Sequence, residues 1–177
     1  MELTNQQLVD AIGCATGRAL LFTQPLNDAM AKFGITTSKR VCAFLAQIAH
    51  ESGKLVYVRE IWGPTKAQEG YEGRADLGNV YPGDGKKYLG RGLIQITGRA
   101  NYKICGDALG VDFESEPVLL ESSRYAALSA AWYWAKHGCN ELADAGEFIT
   151  ITRRINGGLN GQEQRVALLE QATSIIV

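Results

Sequence analysis

The sequence is poor in the residues that build metal sites, disulfide frameworks and charged binding surfaces. It has two histidines, four cysteines and four prolines in 177 residues. Cys14, Cys42, Cys105 and Cys139 form no CxxC pair, so we expect four reduced, buried thiols rather than a zinc cluster. The net charge is −1 without a run of like charge, which gives no reason to expect nucleic-acid binding. No metal and no other cofactor is expected.

Long apolar runs are also missing. No stretch of about twenty apolar residues is present, so we expect no stable insertion into a membrane. The first residues, MELTNQQLVDAIG, lack the basic start and continuous apolar segment of a secretory signal peptide. From these features we expect a protein that begins in the cytoplasm.

Most of the chain shows a helical period of apolar residues. Thr4 to Gln7 has the form of a capping box, with Leu3 and Leu8 placed for a hydrophobic staple. Helices are predicted over residues 26–33 and from Ser38 to about residue 52, where Gly53 would end the second. Later apolar stripes predict three more helices, at Tyr125, Leu128, Trp132 and Ala135, at Phe148, Ile151 and Ile155, and at Val166, Leu169, Ala172 and Ile176.

The middle of the chain differs from both halves. Residues 63–92 are rich in glycine and contain several aromatic residues, which is typical of a functional loop rather than a disordered one. LIQIT, at 93–97, is predicted as a short strand. The whole pattern predicts one mainly α-helical domain over residues 1–177, with at most a short β element and no separate binding module.

Two glutamates are candidates for chemistry. Glu51 lies on the apolar arc of its predicted helix, where desolvation would raise the pKa of a carboxyl group and suit it to act as a general acid. Glu60 follows after the helix has ended, so it can face Glu51 across a cleft. Two such carboxylates are the minimum for glycoside hydrolysis. The alternative is that Glu51 only forms an ion pair with an arginine such as Arg91 or Arg99.

Five motifs occur in the order typical of one family: HESGKLVYVRE, YLGRGLIQITGRANY, GDALGVD, AAWYWA and RINGGLNG. With them the chain resembles the family-19 glycoside hydrolases of the chitinase-like, lysozyme superfamily, and most of all their short-loop chitinases and single-domain bacteriophage endolysins. The resemblance runs from about residue 33 to residue 165. The helical residues 1–32 lie outside it.

The resemblance implies roles for particular residues. Glu51 would be the general acid, Glu60 the general base, and Thr97 the residue that holds the attacking water. Glu72, in the glycine-rich loop, is a rival for the base. An inverting mechanism needs carboxyl groups roughly 6.5–9.5 Å apart, with the water between them.

The resemblance also implies a substrate-binding set, consisting of Gln95, Asn101, Asn156 and Arg165, the last joining an acidic network beneath the cleft. Trp62, Tyr71 and Tyr88 could offer flat faces to sugar rings. Asn160 departs from the pattern, because many chitinases carry an acidic residue there. His50 is expected to pack or to bind the helix end.

The expected function is that of an endolysin, which hydrolyses the glycan strands of bacterial peptidoglycan for host-cell lysis. It would wait in the host cytoplasm, depend on a holin to reach the periplasmic wall, and act as a monomer. A chitinase of the same fold is the nearest alternative. A lytic transglycosylase and a non-catalytic glycan-binding module are alternatives of other classes.

Overall fold

A computed structural model describes residues 1–176, which form ten α-helices and two 3-10 helices. The α-helices are α1 Asn5–Ile12, α2 Thr16–Lys32, α3 Ser38–Glu51, α4 Lys66–Glu69, α5 Asp84–Lys87, α6 Arg99–Leu109, α7 Ser123–Lys136, α8 Cys139–Asp144, α9 Phe148–Asn156 and α10 Gln162–Ile175. The 3-10 helices are Ala75–Leu77 and Pro117–Glu121. Within these residues β structure is limited to isolated bridges, so the predicted mainly α-helical fold is confirmed.

The N-terminal helices are tied to each other by a buried amide. Thr4 forms the predicted capping box with Gln7, and Leu3 and Leu8 are buried. The side chain of Asn27, on α2, accepts from the Leu3 N–H and donates to the Leu3 carbonyl, both at 2.9 Å. α2 begins ten residues before the predicted start, because Pro25 lies inside it instead of interrupting it.

Helix α3 is the central element of the main core. Its predicted apolar residues Val41, Phe44, Leu45 and Ile48 are fully buried. Thr37, not Ser38, caps its N-terminus. α3 packs against α10 and α8, and the Phe44 ring meets Trp134 of α7 edge to face with 5.4 Å between centroids.

Helix α7 packs with a different face from the predicted one. The stripe of Tyr125, Leu128, Trp132 and Ala135 is only half-buried. The buried face consists of alanines, Ser129 and Trp134, packed against α2. Small side chains let two helices approach closely, and a pattern based on large apolar residues does not detect this. On α9, by contrast, Phe148 and Ile151 are buried as predicted.

The segment between Gly63 and Gly92 folds into short helices and turns around a second, smaller core. That core consists of Tyr88, Ile96, Tyr102, Cys105, Phe113 and Leu120. The prediction of a strand at 93–97 is wrong, because residues 92–95 form a turn. The turn is closed by the Arg91 N–H donating to the Ile96 carbonyl at 3.1 Å and the Ile96 N–H donating to the Arg91 carbonyl at 2.8 Å.

The four cysteines are buried, and none is paired with another. Burial raises the pKa of the Cys105 thiol to about 12 and that of Cys139 to about 11.

No helix within residues 1–176 combines the length and the apolar character needed to cross a membrane.

Candidate active site

Glu51 is the last residue of α3, and its carboxylate is bound by a buried arginine. Arg165 Nη2, on α10, donates to Glu51 Oε1 at 2.5 Å. The Arg165 side chain is 1% exposed and the Glu51 side chain 22%. The expected apolar setting of Glu51 is therefore wrong, because one oxygen binds a buried guanidinium. Oε2 forms no hydrogen bond within residues 1–176.

Arg165 is held from three directions. Its Nη1 donates to Gln47 Oε1 at 2.5 Å, and its Nε donates to the Asn160 carbonyl at 3.1 Å. Gln47 lies one turn before Glu51 on α3, and its amide also donates to the Thr152 hydroxyl at 2.9 Å. At position 160, the main-chain carbonyl of an asparagine accepts from Arg165, where an acidic side chain would otherwise be expected. Because it is buried, Arg165 binds Glu51 rather than a substrate, which corrects its placement among the substrate-binding residues and agrees with the acidic network that the resemblance implied.

The two arginines first considered as partners of Glu51 bind other acids. Arg91 Nε donates to Glu121 at 2.7 Å, and Arg99 binds Asp84 and Glu114 at 2.6 and 2.7 Å. The Arg99 guanidinium lowers the pKa of the Asp84 carboxyl. These pairs stabilise the smaller core and leave Glu51 to Arg165.

His50 precedes Glu51 and packs on the loop after α9. A Cβ atom on Gly161 would lie 2.1 Å from the His50 ring, so only glycine fits beside it. Burial, with the positive charge of Arg165, lowers the pKa of His50. The expected packing role is consistent with this position.

Glu60 is fixed by the main chain of the opposite segment. Its N–H donates to the Gly90 carbonyl at 2.8 Å, and the Gly90 N–H donates back to Glu60 Oε2 at 3.1 Å. The Tyr71 hydroxyl donates to Oε1 at 3.2 Å. Burial and the charge of Glu60 raise the pKa of Tyr71, which keeps that hydroxyl protonated as a donor. Glu60 thus has a defined orientation while remaining half-exposed.

Glu72 has both carboxylate oxygens engaged in local structure. Oε1 accepts from the Gly83 N–H at 2.6 Å, and Oε2 accepts from the Gly85 N–H at 2.9 Å. These bonds hold the first turn of α5, where a carboxylate is favoured by the exposed N–H groups. The geometry favours a structural role for Glu72 over that of a base.

A pocket of about 240 Å³ brings three of the predicted site residues together. It is lined by Gln95, Ile96, Thr97, Asn101, Trp132, Tyr133, Lys136 and His137. The Asn101 amide donates to the Thr97 carbonyl at 2.7 Å, which fixes the main chain behind the Thr97 hydroxyl. A hydroxyl can both donate to and accept from a bound water.

Glu60 is connected to this pocket through Gly90. Gly90, which binds Glu60, is so close to Gln95 that an added Cβ atom would lie 2.6 Å from Gln95 Oε1. Gln95 is therefore the pocket residue that lies beside the main-chain group holding Glu60. Burial raises the pKa of Tyr133, another residue of the pocket lining.

The three proposed sugar contacts differ in their exposure. Tyr88 is fully buried, with its hydroxyl donating to the Glu114 carbonyl at 2.9 Å and its ring against Tyr102. The prediction that Tyr88 contacts a sugar is wrong, because no face of its ring reaches solvent. Trp62 and Tyr71 are half-exposed, with 6.4 Å between ring centroids, and remain available for this role.

Asn156 ends α9, and its Oδ1 atom is buried without a hydrogen-bond partner in the described residues. Both polar side-chain atoms of Gln162 share this property.

Sequence reasoning missed Gln47, Gly90, Tyr133 and Lys136. Of these, only Gln47 carries a usable signal, because it lies four residues before Glu51 on an apolar helix face.

The sequence is similar to those of known proteins. The family profile described as "Chitinase class I" matches residues 28–145. A "Glycosyl hydrolase family 19 domain-containing protein" from Haemophilus influenzae is 35% identical over 173 residues, covering 82% of this chain and 84% of that protein. Endochitinase CHI from Arabidopsis thaliana is 36% identical over 104 residues, covering 58% of this chain and 38% of that protein.

Solved structures agree in fold. Chitinase C from Streptomyces griseus HUT6037 superposes with a TM-score of 0.78 at 26% identity, over 98% of this chain and 76% of that one. A second bacterial family 19 chitinase gives a TM-score of 0.77 at 26% identity, over 98% of this chain and 94% of that one. With a profile match over two thirds of its length and relatives above 30% identity, the chain belongs to glycoside hydrolase family 19 and is a glycosidase of the chitinase-like type.

Proposed function

We propose that the enzyme hydrolyses the β-1,4 glycan strands of bacterial peptidoglycan by an inverting acid–base mechanism. The supporting observation is the polar pocket of Gln95, Thr97 and Asn101 together with two oriented carboxylates, Glu51 held by Arg165 and Glu60 held by Gly90, which lies beside Gln95. Glu51 Oε2 protonates the oxygen of the leaving sugar. Glu60 removes a proton from a water that the Thr97 hydroxyl orients, and that water attacks the anomeric carbon from the opposite face.

Arg165 gives Glu51 one fixed orientation, so that its free oxygen points to one place. Gly90 and Tyr71 do the same for Glu60. Both carboxylates are thereby oriented before the substrate binds, which reduces the reorganisation needed in the transition state.

Lys136 supports peptidoglycan over chitin as the substrate. It lines the pocket beside Thr97 and Asn101, with its Nζ atom 4.9 Å from the centroid of the Trp132 ring. It forms no ion pair with any side chain of residues 1–176. Chitin is uncharged, whereas the peptide-bearing sugars of peptidoglycan carry carboxylates. A free ammonium group beside the pocket gains an interaction only with the charged polymer.

Chitin remains the second candidate, because several relatives are named as endochitinases and the folds that superpose include chitinases. Lys136→Gln separates the two substrates. Under the proposal it lowers kcat/KM on peptidoglycan by about tenfold, the effect of about 1.4 kcal/mol, and leaves chitin oligomers unaffected. Lys39→Gln is the matched control, since Lys39 lies twelve residues before Glu51 on α3, about 18 Å away along the helix.

The reaction is tested first by digesting purified Gram-negative sacculi and measuring the molecular masses of the soluble products by mass spectrometry. Fragments with one added water support hydrolysis, and their reducing sugar identifies the bond that is cut. Anhydro ends would assign a transglycosylase, and release from chitin alone would assign a chitinase. Lysis of a host from within, with its requirement for a holin, becomes a meaningful question only after sacculi are cleaved.

The roles of the carboxylates are tested by amide substitutions of similar shape. Glu51→Gln is expected to fold and to lose at least about a thousandfold in kcat, since the amide has no proton to give. Glu60→Gln and Glu72→Gln are compared side by side. Activity that survives in Glu60→Gln but not in Glu72→Gln would move the base to Glu72.

A further inference from the structure

The short segment between the two carboxylates has an unusual main-chain conformation. Gly53, Lys54 and Leu55 follow one another with φ of +57°, +60° and +68°. Glycine adopts this left-handed region freely, but lysine and leucine do not. Such residues persist only where their surroundings hold them. This turn directly follows Glu51 and begins the segment that carries Glu60.

Two sets of bonds hold the turn. From within, the Lys54 N–H donates to the Ala49 carbonyl at 2.6 Å, and the Leu55 N–H donates to Ser52 Oγ at 2.9 Å. From outside, Arg18 Nε donates to the Leu55 carbonyl at 2.6 Å, and Arg18 Nη2 donates to the Val56 carbonyl at 3.0 Å. Arg18 therefore binds the two carbonyl groups at the end of the left-handed turn.

Arg18 is itself fixed by the N-terminal helices. It lies in the first turns of α2, and its guanidinium stands 5.3 Å from the centroid of the Phe22 ring, which is buried. α2 is joined to the start of the chain by the Asn27 amide. The arginine that holds the turn thus lies in a part of the chain that precedes residues 28–145, which the family profile matches.

The other end of the segment is fixed independently. The Gly92 N–H donates to the Val58 carbonyl at 2.9 Å, and Glu60 exchanges main-chain and side-chain bonds with Gly90. The turn thus lies between two fixed points, the end of α3 at Glu51 and the Val58 anchor.

We propose that Arg18 is a positioning residue for the reaction, which holds the turn at 53–55 and so fixes Glu60 relative to Glu51. This rests on the proposed roles of the two carboxylates. Arg18 contacts neither the pocket residues nor the substrate, so its loss changes the catalytic geometry and leaves the affinity for glycan unchanged.

The test compares Arg18→Met with Arg18→Lys and with the control Asn27→Ala. Methionine keeps the apolar stem over Phe22 and removes both donors, whereas lysine can serve one carbonyl. Asn27→Ala loosens the same two helices without touching the turn. kcat and KM are measured on the glycan that the wild type cleaves, at a temperature where all variants are folded, together with hydrogen exchange of the amides of residues 54, 55 and 57.

For Arg18→Met the expected result is a kcat lower by about 10–100-fold with KM unchanged, and faster exchange at these three amides. Arg18→Lys falls between Arg18→Met and the wild type, and Asn27→Ala keeps the wild-type kcat. Faster hydrogen exchange with an unchanged kcat would overturn the positioning role. Unchanged hydrogen exchange would show that Arg18 does not hold the turn. If the wild type cleaves no glycan, the proposed function fails, while the exchange measurement still decides whether Arg18 holds the turn.

Discussion

Replacement of Arg165 by methionine should destabilise the protein strongly when Glu51 is present and much less when it is not. The guanidinium is 1% exposed and donates to Glu51, Gln47 and the Asn160 carbonyl. Removing one partner of a buried ion pair costs about 3–5 kcal/mol, because the other charge stays buried and unpaired. In a domain of this size each kcal/mol lowers Tm by about 2–4 °C, so a fall of about 6–20 °C is expected.

The magnitude is checked with a double-mutant cycle and urea unfolding. Glu51→Gln alone should cost about 1–3 kcal/mol, because the amide oxygen still accepts from Nη2 but carries no charge. The double variant should be more stable than the sum of the two losses predicts, by about 1–3 kcal/mol. Arg40→Met, which breaks the surface pair with Asp144, is the control and should change Tm little. Additivity of the two losses would refute the idea that Glu51 is the buried partner of Arg165.

Three further predictions concern groups beside the site. Tyr88→Phe should lose about 0.5–1.5 kcal/mol of stability, because the bond to the Glu114 carbonyl is lost, while KM stays unchanged; a raised KM would restore Tyr88 as a sugar contact. The pKa of His50 is lower in the folded chain than its ordinary value of 6.5, so the unfolded chain binds more protons as the pH falls below 6.5. The stability that neutral His50 contributes is therefore lost on acidification. Urea titrations at several pH values should therefore show a smaller loss on acidification in His50→Gln than in the wild type, and equal losses would contradict this. The raised pKa values of Cys105 and Cys139, with the burial of all four thiols, predict that a thiol reagent modifies the native protein only as fast as it unfolds; rapid labelling of the native state would refute it.

The parts of the fold that could be predicted are those where one helix face carries large apolar residues. α3 and α9 are of this kind. α7 is not, because its buried face is mostly alanine, and α2 contains Pro25, which normally ends a helix. The run LIQIT is too short for its period to separate a strand from a turn.

The carboxylates of the site could be predicted, whereas the groups that hold them could be predicted only in part, because the resemblance placed Arg165 in an acidic network without naming its partner. Glu51 and Glu60 could be selected by spacing and motif, but the partner of Glu51 lies 114 residues away on another helix. No local pattern ranks Arg165 above Arg91 or Arg99 as that partner. Gly90 likewise binds Glu60 across 30 residues, through main-chain atoms that every sequence possesses.

The same long-range character bears on what a family match can establish about this enzyme. The matched residues 28–145 contain Glu51, Glu60, Thr97 and Asn101, yet neither Arg18 nor Arg165. Arg165, whose guanidinium binds Glu51, lies after that stretch, and Arg18, which binds the carbonyls of the turn toward Glu60, lies before it. The match therefore covers the carboxylates to which the proposed mechanism assigns the proton transfers. Under that mechanism and the proposed role of Arg18, the working geometry of the carboxylates depends on two arginines that the match does not cover.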